Sequence, residues 1–191
     1  PTTEHAIKGT CRAWRRGWKE TLPKRERPRL VVIGGHGEDD DEDNDEFVNS
    51  LERYDPSTNE WKEEAVAPML TAHTRPGMAV LDGKLYAAGG QDDEADGATS
   101  NLVERYDLAA KSWEAVAPLA SARQIHGVAV LDGKAYAVGG WGGGDNLSSV
   151  ERYDPATNAW EAVASMGTER WGLAVAVLEG KVYAVGGCND G

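Results

Sequence analysis

The sequence predicts an all-β fold assembled from repeated four-stranded antiparallel sheets, and three observations predict it. A short apolar segment closed by a Gly pair occurs four times: RLVVIGG (29–35), LDGKLYAAGG (81–90), LDGKAYAVGG (131–140) and LEGKVYAVGG (178–187). Three intervening segments share a Glu-Arg-Tyr-Asp core followed by a Trp, in LERYDPSTNEW (51–61), VERYDLAAKSW (103–113) and VERYDPATNAW (150–160). The dipeptides Asp82-Gly83, Asp132-Gly133 and Glu179-Gly180 are of the kind that marks two-residue hairpins. Self-similarity at a fixed period of about 50 residues, with four short strands per period, matches the blade of a β-propeller.

The elements follow in chain order. Residues 1–29 hold nine Lys/Arg and three Asp/Glu against a whole-chain charge of −12, leaving −18 for the rest. That break sets the first boundary. Ile7, Cys11, Trp14 and Trp18 recur at helical spacing, and Pro23 and Pro28 close the run. A short basic amphipathic helix and linker are therefore expected over 1–29. Residues 30–191 hold the repeats, with blades expected near 30–67, 77–118, 127–165 and 172–191, the first and last incomplete. Within a unit, GMAVL or GVAVL forms the first strand, KLYAAGG or its equivalent the second, and VERYD the third. A turn such as Asp154–Asn158 and a WEAVAP-type fourth strand complete it. The Gly pair marks a close backbone approach. The repeated Tyr and Trp are plates that fill the wedge between blades. Glu52, Glu104 and Glu151, with Arg53, Arg105 and Arg152, recur with the scaffold and are expected to make structural contacts.

Composition narrows the function. A charge of −12 argues against nucleic acid, whose phosphates need a basic face. No apolar run approaches the ~20 residues that span a bilayer, so no membrane partner is expected. Cys11 and Cys188 are too few for a disulfide framework and lie at no metal-ligand spacing; a cytoplasmic location is expected. No nucleophile elbow or metal-binding His pair appears. Gly139–Gly144 lead into a strand rather than a helix, so they make no phosphate cradle. Residues 38–46 carry eight carboxylates among nine positions. They lack the spacing of a calcium loop, and neither metal nor cofactor is expected. The run reads as a solvated loop whose functional use would be attraction of a basic partner.

The repeat spacing locates the variable loops. The gap from Gly pair to Tyr shrinks from 19 (Gly35 to Tyr54) to 16 (Gly90 to Tyr106) to 13 (Gly140 to Tyr153). Length variation therefore lies between the second and third strands, and insertions in repeat proteins map to one face, often the binding face. Strand parity puts residues 36–49, 91–101 and 141–149 at the same end as 67–76, 117–126 and 164–171. In the second set His73, Arg123 and Arg170 are equivalent, with Arg75 two residues after His73.

The Gly doublet, the Tyr–Trp spacing and the period resemble kelch repeats over residues 29–187. The ERYDP wording is similar to the kelch-like proteins, animal adaptors with BTB and BACK domains whose propellers select substrates for cullin-3 ubiquitin ligases. The resemblance implies an all-β partial kelch β-propeller of about four antiparallel four-stranded blades that serves as a protein-protein interaction module and not as an enzyme. About thirteen strands are expected, fewer than a ring of such repeats requires. A fragment is the first expectation, ahead of four-bladed closure or a ring completed by a partner. Leu22-Pro23 and Pro28-Arg29 resemble a shortened junction between a BACK domain and a first blade, so cullin-3 would be reached only through upstream domains absent here. The partner on the loop face would be a protein or peptide. In kelch-like proteins substrate contacts come from residues just after the Gly pair and from the loop before the innermost strand. The matching residues are His36, Gln91, Trp141 and Cys188, with Arg75; Arg123 and Arg170 are either partner-facing or structural. Two alternatives stay open: a kelch scaffold outside the ligase system, for actin or signalling, and a carbohydrate-active kelch enzyme.

Overall fold

Fourteen strands and no helix make up the residues that the computed structural model describes, which are 30–33, 51–64, 67–71, 73–92 and 97–189. The helix expected over 1–29, the acidic run 38–46 and His36 lie outside them. The chain divides into two compact units, residues 1–65 and 66–191.

The first unit holds one sheet of three antiparallel strands, β1 (Leu30–Ile33), β2 (Leu51–Asp55) and β3 (Glu60–Glu64), in that order. Tyr54 stands opposite Trp61, with ring centroids 5.2 Å apart. The β2–β3 turn is built by Asp55, which accepts the Ser57 N–H at 2.8 Å, and by Asn59 at φ 57°, whose side-chain oxygen accepts the Tyr54 hydroxyl at 2.9 Å. Asn tolerates the left-handed region better than most residues.

The second unit holds three sheets. The second sheet of the chain comprises β4 (His73–Thr74), β5 (Gly77–Leu81), β6 (Lys84–Asp92), β7 (Ala98–Asp107) and β8 (Ser112–Val116). The third comprises β9 (Gly127–Leu131), β10 (Lys134–Val138), β11 (Val150–Asp154) and β12 (Ala159–Val163). The fourth is the pair β13 (Ala174–Leu178) and β14 (Lys181–Val185). Pairing is antiparallel throughout and sequential in the third and fourth sheets, while in the second β6, β7 and β8 run in order and both β4 and β5 pair with β6. Each hairpin turn between first and second strands has two left-handed residues, as at Asp132 (φ 51°) and Gly133 (φ 70°), the turn that matches strand twist. The first strands β5, β9 and β13 are successive neighbours, as in a propeller-like repeat.

One count differs from expectation. The second sheet has five strands rather than four, because β6 and β7 continue past the Gly pair and β4 pairs with the extension at His73↔Asp92 and Thr74↔Gln91. In the third sheet Gly142–Gly144 occupy the same stretch and offer no side chains to a ladder. Pairing there falls to single bridges from Trp141 to Gln124 and Asn146.

Packing between sheets explains the repeated residues. Leu81, Tyr86, Ala88 and Val103 of the second sheet, with Leu119, meet Ala135, Ala137 and Tyr153 of the third in one core. Tyr86 and Tyr153 lie 5.6 Å apart between ring centroids. In the second and third sheets the Trp near the head of the fourth strand fastens its sheet to the chain before it: Trp113 Nε1–H donates to Ala67 O at 2.8 Å and Trp160 Nε1–H to Ala117 O at 2.9 Å. Glu104 accepts the N–H groups of Leu70 and Thr71 at 2.8 and 2.9 Å. Glu151 accepts those of Ala120 and Ser121 at 2.7 and 3.1 Å. Both carboxylates are buried, and a buried charge is tolerated only when so satisfied.

The Gly pair has a steric cause. A Cβ on Gly89 would stand 2.3 Å from the Arg123 carbonyl oxygen of the next sheet, while one on Gly133 meets nothing within 4 Å. Gly89→Ala should therefore cost well over the ~1–2 kcal/mol of a left-handed alanine, and Gly133→Ala only about that amount. Urea midpoints of the two variants check this, and equal losses would refute the close-approach explanation.

Candidate partner-binding face

At the end of the second, third and fourth sheets where the Gly pairs stand, the residue after the pair exchanges backbone hydrogen bonds or pairs with the loop that enters the same sheet. Gln91 faces Thr74 in the second sheet. In the third, Trp141 N–H donates to Gln124 O at 2.9 Å and Gln124 N–H to Trp141 O at 3.0 Å. In the fourth, Cys188 N–H donates to Trp171 O at 2.8 Å and Trp171 N–H to Cys188 O at 3.1 Å. Two-way pairing fixes the direction in which each of these side chains leaves the backbone.

The following residues, Arg75, Ile125 and Gly172, are left-handed at φ 54°, 52° and 63°. They are joined from sheet to sheet: Ile125 N–H donates to Arg75 O at 3.4 Å and Gly172 N–H to Ile125 O at 2.9 Å. A β-branched residue in this region is an outlier costing on the order of 1–2 kcal/mol, and such strain gathers at functional loops. Here it turns three successive loops through one shape and sets Arg75 on the rim.

The expected site residues are distributed as follows. Arg75 is exposed, as is Cys188, which carries a free thiol. Gln91, Trp141 and Arg170 are half-buried. Trp141 sits at the mouth of a tight Gly-rich loop closed by Gly142 N–H to Asp145 O at 2.9 Å and Leu147 N–H to Gly140 O at 2.8 Å. Arg123 is different. Its side chain is 0% exposed, and its guanidinium donates to Gly139 O (2.8 Å), Ser149 O (3.2 Å), Ser149 Oγ (3.1 Å) and Glu151 Oε1 (2.7 Å). The partner-facing role weighed for Arg123 gives way to a structural one, because every one of those groups lies inside its own sheet.

Sequence reading passed over four residues here. Thr74, Gln124 and Trp171 are the pairing partners of Gln91, Trp141 and Cys188. Their signal was available, since they stand one residue after the aligned His73, Arg123 and Arg170. His126 is the fourth. It is buried where Gly77, Gly89 and Gly140 crowd it, and neither ring nitrogen has a partner among the described residues. Burial first, then the nearby Arg123 charge, push its pKa down to about 3, so it is neutral at physiological pH. Gln124 is buried too; its amide donates to Thr99 Oγ1 at 3.2 Å. The accessible groups at this end are thus a cation, an indole, an amide and a thiol, a set suited to recognition of another surface.

Comparison with known proteins agrees with this architecture. The KLHDC2/KLHL20/DRC7 Kelch-repeats domain family matches residues 3–187. Rat Kelch-like protein 22 is 33% identical over 86 residues, covering 45% of this chain and 13% of that protein. Mouse Kelch-like protein 40 is 39% identical over 84 residues, covering 44% and 12%. Mouse Kelch-like protein 36 is 38% identical over 85 residues, covering 44% and 13%. The chain thus matches about an eighth of the length of these relatives. The solved structure of YjhT superposes with a TM-score of 0.69 at 18% identity, over 83% of this chain and 56% of that one, which shows a shared fold. With the Gly pairs, the Tyr–Trp spacing and the sheet order all in place, the chain belongs to the kelch-repeat family.

Proposed function

We propose that the chain is a partial kelch β-propeller of about four blades, the first and last incomplete, acting as a protein-protein interaction module. Its partner, a protein or peptide, seats on the end that carries Arg75, Gln91, Trp141 and Cys188. The observation that carries this reading is the pairing repeated after the Gly pairs of the second, third and fourth sheets. A constant backbone frame holds residues that differ from sheet to sheet, while the residues that recur are buried in the scaffold. Trp and Arg are the side chains most often found at interface hot spots. His36 takes the place in the repeat that Gln91, Trp141 and Cys188 take in theirs, Arg170 stands in the adjoining loop, and both belong to the same reading.

The task of the module is substrate recognition for a cullin-3-type ubiquitin ligase adaptor, with cullin contact made through upstream BTB and BACK domains. The likeness to Kelch-like proteins supports this reading. The test is a pull-down with the immobilised chain. Trp141→Ala combined with Arg75→Ala is expected to lose the proteins captured by the wild type, with the urea midpoint within about 0.5 kcal/mol equivalent of the parent, as for surface changes. Unchanged capture by the double variant rejects the site. Capture of a partner that the full-length protein does not ubiquitinate with cullin-3 rejects the ligase role alone.

A further inference from the structure

We propose that Ile125 is a contact residue of the candidate face, and that the partner protein sets an aliphatic side chain against it, between its contacts with Arg75 and Trp141. The inference rests on the partner-binding reading given above, to which it adds a residue and a chemistry.

Both backbone polar groups of Ile125 are committed to the adjacent loops. Its N–H donates to Arg75 O at 3.4 Å, and its carbonyl oxygen accepts the Gly172 N–H at 2.9 Å. Gln124, the residue before it, exchanges two backbone hydrogen bonds with Trp141. This frame demands a left-handed residue. The fourth sheet meets the demand with Gly172 at φ 63°, where a missing Cβ removes the steric cost. The third sheet meets it with isoleucine at φ 52°. A β-branched side chain is poorly suited to that region, so the frame accounts for the conformation and not for the choice of residue.

Core packing does not account for it either. The apolar cluster between the second and third sheets is built on residues such as Tyr86, Leu119 and Tyr153, and that between the third and fourth on Val138, Val150 and Leu173. Among the described residues Ile125 packs into neither cluster. Gln124 and His126 on either side of it are buried at 4% and 8% exposure, while Ile125 is half-buried and forms the outward member of the turn. Strain retained with no gain in packing is the mark of a residue held for contact.

The side chain also says what it contacts. An aliphatic group carries no charge and no hydrogen-bonding atom, so it recognises only another apolar group, by excluding water. Its backbone links it to exposed Arg75 on one side and, through Gln124, to Trp141 on the other. An apolar centre among polar and aromatic groups is the usual anatomy of a protein interface. The equivalent positions carry a cation in the second sheet and no side chain in the fourth, so an aliphatic residue of the partner is read at the third sheet and fixes the partner's register.

A phage-displayed library of random dodecapeptides is panned against the immobilised 191-residue chain. Clones are retained when the Trp141→Ala and Arg75→Ala double variant fails to bind them, and the synthetic peptides are titrated by calorimetry. The retained peptides are expected to share Leu, Ile, Val or Met at one position. Ile125→Val should bind them within about fourfold of the parent, the worth of one methylene. Ile125→Asn and Ile125→Gly, which suit the left-handed backbone better, should bind at least about tenfold more weakly. Alanine at the shared peptide position should weaken binding to the parent and change little with Ile125→Asn, the coupling expected of two side chains in contact. The urea midpoint of Ile125→Asn should be no lower than that of the parent. Equal binding by the Asn and Gly variants overturns this inference and leaves the face standing. Affinity lost together with the urea midpoint assigns the side chain to the fold and overturns it as well. If no clone depends on Trp141 and Arg75, the face itself fails, and the role of Ile125 with it.

Discussion

Arg123→Ala is expected to remove about 3–5 kcal/mol of unfolding free energy, the cost of breaking a buried ion pair from one side. The guanidinium is fully enclosed and serves four acceptors, two carbonyl oxygens, one hydroxyl and the Glu151 carboxylate. Without it Gly139 O and Ser149 O lose a buried donor, and Glu151 keeps its charge with only the Ala120 and Ser121 amides to answer it. Those amides come from the loop joining the second and third sheets, so the loss reaches the contact between sheets as well as the sheet itself. Arg170→Ala is the internal control. It deletes the same side chain from the same place in the repeat, where one hydrogen bond to an exposed Gly186 carbonyl is at stake, and about 1 kcal/mol or less should follow. Urea unfolding followed by tryptophan fluorescence measures both. Similar losses in the two variants would show that burial and the carboxylate do not set the worth of this arginine.

The contrast between those two arginines also marks the limit of what the sequence reveals. The repeat period, the hairpin turns and the Tyr–Trp pairs are local features, each legible because one residue type is needed at one backbone position. Asp132-Gly133 has to be a tight turn, and Tyr153 has to face Trp160 when four residues, 155–158, turn the chain between Asp154 and Ala159. Burial of Arg123 is a property of its neighbours, and Arg170 has an identical local sequence role with different surroundings. The fifth strand of the second sheet was equally hidden. It depends on Gln91 and Asp92 pairing with Thr99 and Ala98 across a loop that polar residues would ordinarily leave open. The left-handed positions show the same limit. Gly172 announces one by composition, but Arg75 and Ile125 adopt it because backbone bonds between adjacent loops hold them there. The candidate face was found from loop lengths and strand parity, which depend only on chain direction. Its frame of paired backbone groups, and the roles of Gln124 and Trp171, needed coordinates.

His126 supplies the second large effect, and it is a dependence on pH. The residue occupies the place that Pro76 and Leu173 hold in the neighbouring repeats, an apolar slot in which an imidazole is enclosed with no partner among the described residues for either nitrogen. Desolvation, reinforced by Arg123, lowers its pKa from 6.5 to about 3. The unfolded chain takes up a proton below about pH 6.5, whereas the native state refuses it until about pH 3. Protons therefore favour unfolding across that window. The stability associated with the neutral ring is complete above pH 6.5 and falls by about 1.4 kcal/mol for each pH unit descended. His126→Leu puts in the residue that the fourth sheet already uses at this place and removes the titration. Carboxylates elsewhere titrate in both proteins, so the difference in unfolding free energy between variant and wild type isolates the imidazole. That difference should be constant above pH 7 and should widen in favour of leucine as the pH drops from 6.5 to 4. Parallel curves through this interval would mean that the native state protonates His126 as readily as the unfolded chain does, and that the slot between the second and third sheets admits water.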